Sequence, residues 1–573
     1  MWNRCAFINA AFARAGRCLA PNVKTGLYIN LAQTPAYLIL LICIVALPLV
    51  HIFTGAAIPF GNDWFCDTWY YFGLMEFPEL GHVLAAGERT ISRLPAYVPV
   101  SVLRELGATA TGQELYFWLN HIIFAVTTVT ALTALFEITT ALIVSALVTT
   151  SALYLAVLST TYPTGAALAY GSAALACVSI GVRRPPLVMP LALLAGVFVA
   201  FALHSHLVSA VFLFFLPILY IMIDIPAFLI GTLLMGVGML VGTTFVGLTG
   251  LYLGQGFWSI GNQIRAVLSG VGVYWYQGWM LRSIGLVLMV LLPALQAITL
   301  VGRKRSSKRS QAILVSAIAV SGINLLVTFS HKDQNLVFNF MYILAIPIAA
   351  LVVADAIEDK TRRISCLACG AVLTCLIGLH VLIVAYLRGY ILSHFMPIAF
   401  VGATLTLFVS ILYARSRSIP GGIAVIGSSF IFMQAALGDY YRDHLYLNRV
   451  TARSNTQQVD KALAFIRGYG VTDKPVVWLG NVDNQTIATD AFQSLVRCGF
   501  SIDFPDRFPN STLQWQPPIA PGRLLIVIDD PRKYPSIEDT LARHGVRIER
   551  VKSNNIDDSL RITMGLITEA SPQ

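Results

Sequence analysis

Long apolar runs, separated by short polar connectors, are the dominant pattern of the sequence. Spanning about 30 Å of hydrocarbon takes about 20 mostly apolar residues in an α-helix, and thirteen runs fit that requirement. The predicted spans are 36–54, 114–136, 139–158, 164–181, 186–203, 207–224, 226–249, 283–302, 311–329, 337–355, 366–387, 393–413 and 420–438. The second to seventh runs follow one another so closely that the limits between them are approximate. The count is therefore about thirteen. The pattern predicts a polytopic α-helical membrane protein.

The pattern changes after residue 438, where short β-rich runs alternate with helical ones. Strands are predicted at 475–480, 524–529, 546–551 and 560–567, and helices at 456–468, 486–497 and 535–544. Such alternation is typical of a small α/β domain with a partly parallel sheet. The predicted organisation is an interfacial segment at 1–35, a transmembrane domain at 36–438 and an α/β domain at 439–573. Residues 1–35 show no cleavable signal peptide and fit either an interfacial amphipathic helix or a loosely ordered tail.

Composition supports the membrane assignment. The chain is 56% hydrophobic and only 12% charged, with a mean hydropathy of +0.71, whereas soluble domains have about 45–50% apolar and about 25% charged residues. These values exclude an ordinary soluble protein.

The positions of the basic residues predict the orientation. Lys and Arg cluster in the head, at 183–184, at 303–309, at 360–363 and at 415–417. With thirteen spans and a cytoplasmic N-terminus, every cluster lies on the cytoplasmic side, as short basic loops do. A basic inner face that meets anionic lipid accounts for much of the formal charge of +10, so nucleic acid is not needed as a partner. The external parts are then the first loop (55–113), the loops at 250–282 and 330–336, and the α/β domain.

The first external loop carries two aspartates in "GNDWFCDTWYYFG", residues 61–73. Asn62 is a suitable N-cap for a helix beginning at Asp63, which would place Asp63 and Asp67 on one helix face. Asp63 has an alternative role in compensating the helix dipole. Asp67 lies one turn further in, and a neighbouring like charge would raise at least one of the two carboxyl pKa values, which suits a general base. Tyr70 and Tyr71 belong to an aromatic group suited to the membrane interface.

Arg93 follows in the same loop, within "ISRLPAYVPV" (91–100). Its guanidinium can bind a phosphate or a carboxylate through two parallel hydrogen bonds. Pairing with Asp63 or Asp67 is the structural alternative.

These motifs resemble a known family. The stretches "DTWYYFG" (67–73) and "SRLPA" (92–96) are similar to motifs in the first external loop of bacterial glycosyltransferases of the GT-C superfamily, which includes lipid A aminoarabinose transferases and protein O-mannosyltransferases. "TYPTGAALAY" (161–170) and "SHKDQNLVFNFMYILAIP" (330–347) resemble two further stretches, and the thirteen spans with an external α/β domain match in outline. One departure is Thr164, which stands where the family pattern has an aspartate.

The resemblance implies an inverting transfer of a sugar from a polyprenyl-phosphate donor to a lipid, glycan or protein of the cell envelope. The implied location is the bacterial inner membrane, with the α/β domain in the periplasm. Asp67 would be the general base, and Asp63 a second candidate or the residue that orients it. The implied ligands of the donor phosphate are Arg93, Lys332 with His331, and Arg388, although Lys332 and Arg388 also fit snorkelling to the interface. The replacement by Thr164 favours a reaction without a metal; no cofactor is expected, and a divalent metal is not favoured.

Aromatic residues of the external loops complete the predicted site. Tyr70, Tyr71, Tyr162, Trp275 and Trp279 are candidates for substrate binding, because aromatic rings stack on sugars. The glycine-rich stretch at 254–283, which contains the two tryptophans, fits either a lid over the substrate or an interfacial anchor.

The stretch "LHSHL" (203–207) places two histidines at an external turn. Metal binding is the weaker interpretation, because no Cys or carboxylate lies nearby in the sequence to complete a site. Hydrogen bonding to a substrate or to the interface is favoured.

Two rival functions remain open at this point. A transporter or flippase for a lipid-linked saccharide would explain the many spans, but such proteins usually show pseudo-symmetric halves and charges within the spans. The other alternative is a non-catalytic subunit of envelope assembly.

Overall fold

The structure is a computed structural model. It describes residues 34–51, 75, 93–106, 112–149, 151, 154, 157–158, 163–252, 292–294, 296–297, 300, 307–330, 344–358, 465, 476–480, 502–503, 521–522, 524–529, 531–532, 536–543, 545–557 and 560–570.

Most of the described residues before position 360 are helical. The helices are α1 (Thr34–His51), α2 (Leu94–Glu105), α3 (Gly112–Leu135), α4 (Ile138–Thr149), α5 (Thr164–Arg183), α6 (Val188–Ser205), α7 (Val211–Phe215), α8 (Ile225–Tyr252), α9 (Lys308–Ser330) and α10 (Ile346–Glu358). Short 3₁₀ turns lie at Pro185–Leu187, Leu207–Ala210 and Pro217–Met222. The helices and these turns pack around an apolar core.

The helices lie close to the predicted spans. Among the described residues, four segments are long and apolar enough to cross a membrane, at Glu114–Leu135, Thr164–Arg183, Pro185–Ser205 and Ile225–Tyr252. The protein is therefore a membrane protein. The predicted spans at 366–387, 393–413 and 420–438 lie outside the described residues, as do the N-terminal residues 1–33 and the helix predicted at 63–76, apart from Met75.

Two segments differ from the prediction. The predicted span 207–224 is divided into a 3₁₀ turn, the short helix α7 and a second 3₁₀ turn that begins at Pro217, because a proline ring has no N–H to continue the helix. Residues 94–105, predicted only as part of a loop, form helix α2 despite Pro95 and Pro99. Leu94, Tyr97 and Val100 on α2 are buried against the bundle, and this tertiary packing outweighs the proline signal.

Helices α6 and α8 approach each other through glycines. A β-carbon added at Gly238 would overlap the carbonyl oxygen of Leu193, and one added at Gly196 would overlap that of Met235. Small residues allow such close backbone contact between helices in a membrane. Gly236 lies on the other side of α8, where an added β-carbon would meet nothing within 4 Å.

We expect Gly238→Ala to destabilise the bundle. The added methyl group collides with backbone atoms, which cannot move aside as a side chain can, and overpacking of this kind costs about 1–3 kcal/mol. Thermal unfolding of the purified protein in detergent should show a melting temperature a few degrees below that of the wild type. Gly236→Ala is the matched control and should leave the melting temperature unchanged or raised, since alanine favours helix. Equal effects of the two variants would contradict the close approach.

The bundle has two chemically different ends. At one end, which we name the basic end, Arg183 Nη1 donates to the carbonyl oxygen of Thr133 at 2.6 Å, and Lys308 Nζ donates to that of Ile223 at 3.2 Å. Arg183, Lys308 and Arg309 thus lie at the same end, as the alternating topology predicts.

An ion cluster stands at the basic end. Arg309, 28% exposed, forms ion pairs with Glu358 and with Asp355, which is fully buried. Its Nη1 donates to the carbonyl oxygen of Leu135 at 2.8 Å, and its guanidinium lies 4.6 Å from the centre of the Phe136 ring. One arginine therefore joins α9 to the ends of α3 and α10.

A second donor also binds the buried carboxylate. Gln296 Nε2 donates to Asp355 Oδ2 at 2.7 Å and to the carbonyl oxygen of Ser310 at 3.1 Å. The carboxylate therefore accepts from both Arg309 and Gln296, as a charge buried in an apolar bundle requires.

The tail contains a mixed β-sheet. Strands β1 (Val476–Gly480), β2 (Ile502–Asp503), β3 (Leu524–Asp529), β4 (Val546–Asp557) and β5 (Leu560–Ala570) pair in the order β2-β1-β3-β5-β4. The pairs β1/β2 and β1/β3 are parallel, and β3/β5 and β4/β5 are antiparallel. Helix α11 (Ile537–Arg543) precedes β4. The strands and this helix agree with the predicted partly parallel α/β pattern, whereas β2 was not predicted. The predicted helices at 456–468, apart from residue 465, and 486–497 lie outside the described residues.

Candidate functional site

The end of the bundle opposite the basic end brings together Arg93 and several buried polar residues; we name it the histidine end. Arg93 directly precedes α2, and its carbonyl oxygen accepts a hydrogen bond from the backbone N–H of Ala96 at 3.0 Å. The side chain is only partly exposed. The first turn of α2 therefore fixes the backbone at Arg93.

Two tyrosines fix this region to the bundle. The hydroxyl of Tyr170 on α5 donates to the carbonyl oxygen of Pro95 at 2.9 Å. The hydroxyl of Tyr116 on α3 accepts from the backbone N–H of Ala166 at 3.3 Å, and Gly165 leaves the space that this ring needs. Both tyrosines are buried. The beginning of α2 and the first turns of α3 and α5 are thereby held in one arrangement.

The end of α6 contributes a group of buried polar side chains. We name His204, Ser205, His206 and Ser209 the His-Ser turn; all four are nearly inaccessible to solvent. The chain leaves α6 at His206, whose extended backbone leads into the 3₁₀ turn Leu207–Ala210. Thr164, at the beginning of α5, is buried at the same end of the bundle.

Electrostatics connect the His-Ser turn to Arg93. Burial lowers the pKa of His206 well below its ordinary value, and the positive charge of Arg93 lowers it further. His206 is therefore neutral at pH 7, and Arg93 carries the positive charge.

Arg93 is the one predicted site residue that lies in the described part of the chain. The other predicted residues lie outside it: Asp63, Asp67, Tyr70, Tyr71, Tyr162, Trp275, Trp279, His331, Lys332 and Arg388. Their roles remain predictions. Within the described ranges, no group of three His, Cys, Asp or Glu residues is arranged to hold a metal ion.

Comparison with solved structures identifies the fold. No protein-family model matches the sequence, and no curated protein shows significant sequence similarity to it. The structure is similar to that of ArnT from Cupriavidus metallidurans bound to undecaprenyl phosphate, with a TM-score of 0.55 over 93% of this chain and 99% of ArnT, at 14% identity. The chain has the ArnT fold. The apo structure of the same ArnT gives a TM-score of 0.53 at 15% identity over the same shares of the two chains.

The ArnT fold agrees with the fold that the resemblance of the sequence motifs implies. The likeness extends over nearly the whole of both chains, although only about one residue in seven is identical. It therefore establishes the architecture, and the activity has to be argued from the residues of this chain.

The structure adds residues that the motif comparison did not select. Tyr116 and Tyr170 hold the site together, yet in the sequence they are ordinary aromatic residues of apolar runs. The stretch "LHSHL" did indicate the His-Ser turn in the sequence, because polar and ionisable residues within apolar runs are often functional. Their burial could not be predicted from the sequence, since it depends on the packing of α2 against α6.

Proposed function

We propose that the protein is a membrane glycosyltransferase that transfers a sugar from a polyprenyl-phosphate donor to a component of the cell envelope. The observation that carries this proposal is the ArnT fold with Arg93 at the polar end of its helical bundle. The ArnT structure with the same architecture holds undecaprenyl phosphate, so a donor built on this lipid phosphate is the natural substrate class.

The two ends of the bundle suit this reaction. A donor of this class has an apolar tail for the bilayer and a phosphate for the interface, and Arg93 supplies a positive charge near the end of apolar helices. With the basic end in the cytoplasm, Arg93 and the His-Ser turn face the periplasm of the bacterial inner membrane, and so does the α/β domain. The acceptor would be an envelope lipid, glycan or protein.

The proposed mechanism has two parts. Arg93 stabilises the negative charge that develops on the departing phosphate, assisted by Lys332, His331 and Arg388. Asp67 accepts the proton of the acceptor hydroxyl as that oxygen attacks the anomeric carbon from the opposite side, which inverts the anomeric centre. Asp63 orients Asp67, and the aromatic side chains Tyr70, Tyr71, Tyr162, Trp275 and Trp279 contact the substrates.

Substitution of Arg93 tests the phosphate site. A hydrogen bond from a charged group contributes about 1.5–3 kcal/mol, so Arg93→Gln should weaken binding of undecaprenyl phosphate by about tenfold or more. Binding can be measured with the purified protein in lipid nanodiscs.

Arg183→Gln is the matched control, because Arg183 lies at the basic end and should not affect phosphate binding. Retention of wild-type affinity by a folded Arg93→Gln protein would remove Arg93 from the proposed site.

A further inference from the structure

The His-Ser turn contains more buried hydrogen-bonding capacity than its surroundings use. Neither ring nitrogen of His204 has a hydrogen-bond partner among the described residues, and the same holds for the hydroxyls of Ser205 and Ser209. His204 is 2% exposed, and both serines are fully buried. Buried polar groups are normally hydrogen-bonded, and leaving one unsatisfied costs stability.

Backbone groups of the turn form hydrogen bonds, whereas these side chains do not. The N–H of His206 donates to the carbonyl oxygen of Ala202 at 2.8 Å, and that of Ser209 donates to the carbonyl oxygen of His206 at 2.9 Å. These two bonds fix the backbone conformation of the turn.

Several other hydroxyls in the bundle bond to a carbonyl oxygen of their own helix. Ser101 donates to the carbonyl oxygen of Tyr97 at 3.0 Å, and Thr149 donates to that of Ser145 at 2.9 Å, as serines and threonines in apolar helices commonly do. Ser205 also lies on a helix but makes no such bond in the part of the chain described. Its hydroxyl therefore keeps its full hydrogen-bonding capacity.

We propose that the His-Ser turn binds the sugar of the donor, through hydrogen bonds from His204, Ser205 and Ser209 to the sugar hydroxyl groups. This inference rests on the proposed function and names the donor sugar as the ligand of a stretch for which the sequence indicated hydrogen bonding to a substrate or to the interface.

The chemistry of the turn fits a sugar better than the other parts of the donor. Each serine hydroxyl both donates and accepts hydrogen bonds, as does a neutral imidazole through its two nitrogens, and sugar hydroxyls do the same. A phosphate accepts only and is better matched by Arg93, whereas a polyprenyl tail would leave all these groups unsatisfied.

The position of the turn fits as well. Its member His206 lies within the electrostatic influence of Arg93, and α2 packs against α6. In a sugar phosphate the ring is joined directly to the phosphate, so a phosphate bound by Arg93 would bring the sugar to this part of the bundle.

Binding of donors with and without a sugar tests the proposal. The probes are undecaprenyl phosphate itself and a panel of undecaprenyl phosphates that carry glucose, galactose, mannose, N-acetylglucosamine or aminoarabinose, measured in nanodiscs. The wild type should bind at least one sugar-carrying probe more tightly than undecaprenyl phosphate. Ser205→Ala and Ser209→Ala should each reduce this gain by about three- to tenfold, and His204→Phe by about tenfold. Affinity for undecaprenyl phosphate itself should change less than about twofold.

Thermal stability provides an independent measurement. Removing a hydroxyl that is buried without a partner should leave the melting temperature of Ser205→Ala and Ser209→Ala equal to or above that of the wild type. Ser179→Ala is the matched control: Ser179 on α5 is also fully buried and has no hydrogen-bond partner among the described residues, but it lies towards the basic end and should affect neither type of probe.

The outcomes separate this inference from the proposed function. Failure of the wild type to bind undecaprenyl phosphate would contradict the proposed function itself. Binding of undecaprenyl phosphate with no gain from any sugar, or a gain that all three variants retain, would overturn the role of the turn. Equal losses for probes with and without a sugar would also overturn it, because the turn would then only support Arg93.

Discussion

Replacement of Asp67 by asparagine should reduce sugar transfer by about 10²–10⁴-fold, the usual contribution of a general base. Asparagine has nearly the same shape as aspartate but cannot accept the proton of the attacking hydroxyl. The protein should still be produced at the wild-type level and insert in the membrane. The rate can be measured in proteoliposomes as release of undecaprenyl phosphate from a sugar-carrying donor in the presence of an envelope extract.

Comparison with Asp63→Asn distinguishes the roles of the two aspartates. Asp63 is predicted in the first turn of a helix, where a carboxylate also compensates the helix dipole, and its proposed role is to orient Asp67. Its replacement should therefore reduce the rate less than Asp67→Asn does. A reversed order would make Asp63 the base. An Asp67→Asn protein that keeps more than about a tenth of the wild-type rate would show that Asp67 is not the base.

The second large effect is expected at the basic end, in the ion cluster around Arg309. Arg309→Met would leave the fully buried Asp355 without its cationic partner. Breaking a buried ion pair costs about 3–5 kcal/mol, and we expect the low end of this range because Arg309 is partly exposed and Gln296 still donates to the carboxylate. Unfolding of the purified protein in detergent should occur at a clearly lower temperature.

A double substitution separates the charge from the packing. In Arg309→Met with Asp355→Leu, the fully buried charge of Asp355 is removed and only the partly exposed Glu358 loses its partner, so part of the lost stability should return. Arg183→Met serves as the control, since Arg183 is exposed at the same end and donates to the carbonyl oxygen of Thr133. If the double variant is less stable than Arg309→Met, the buried charge is not the source of the effect.

Hydropathy predicted the helices of the bundle well, because a helix that crosses the bilayer needs an apolar run long enough to match the thickness of the hydrocarbon. The bounds of α3, α5, α6 and α8 lie within a few residues of the predicted spans. Proline was a less reliable guide: it divides the segment 207–222, as its chemistry suggests, but it does not prevent α2 from forming when that helix can pack on the bundle.

Contacts between distant residues could not be predicted from the sequence. The charge rule assigned Arg309 to the cytoplasmic face, yet nothing in the sequence indicates that it pairs with Asp355. The link between Arg93 and His206 likewise depends on how α2 packs against α6. Motifs could select Arg93 and the stretch "LHSHL" separately, but their proximity is a property of the fold.

The most direct test of the central claim is mass spectrometry of envelope lipids and glycans from a bacterial strain that lacks the gene for this protein. A glycosyltransferase predicts the loss of one sugar substituent from an envelope component, restored by the wild-type gene but not by one encoding Asp67→Asn. An envelope with every sugar substituent intact in the deletion strain, or full restoration by the Asp67→Asn gene, would contradict the account. Movement of a lipid-linked saccharide across the membrane of vesicles that contain the protein, without any covalent change, would indicate a transporter instead.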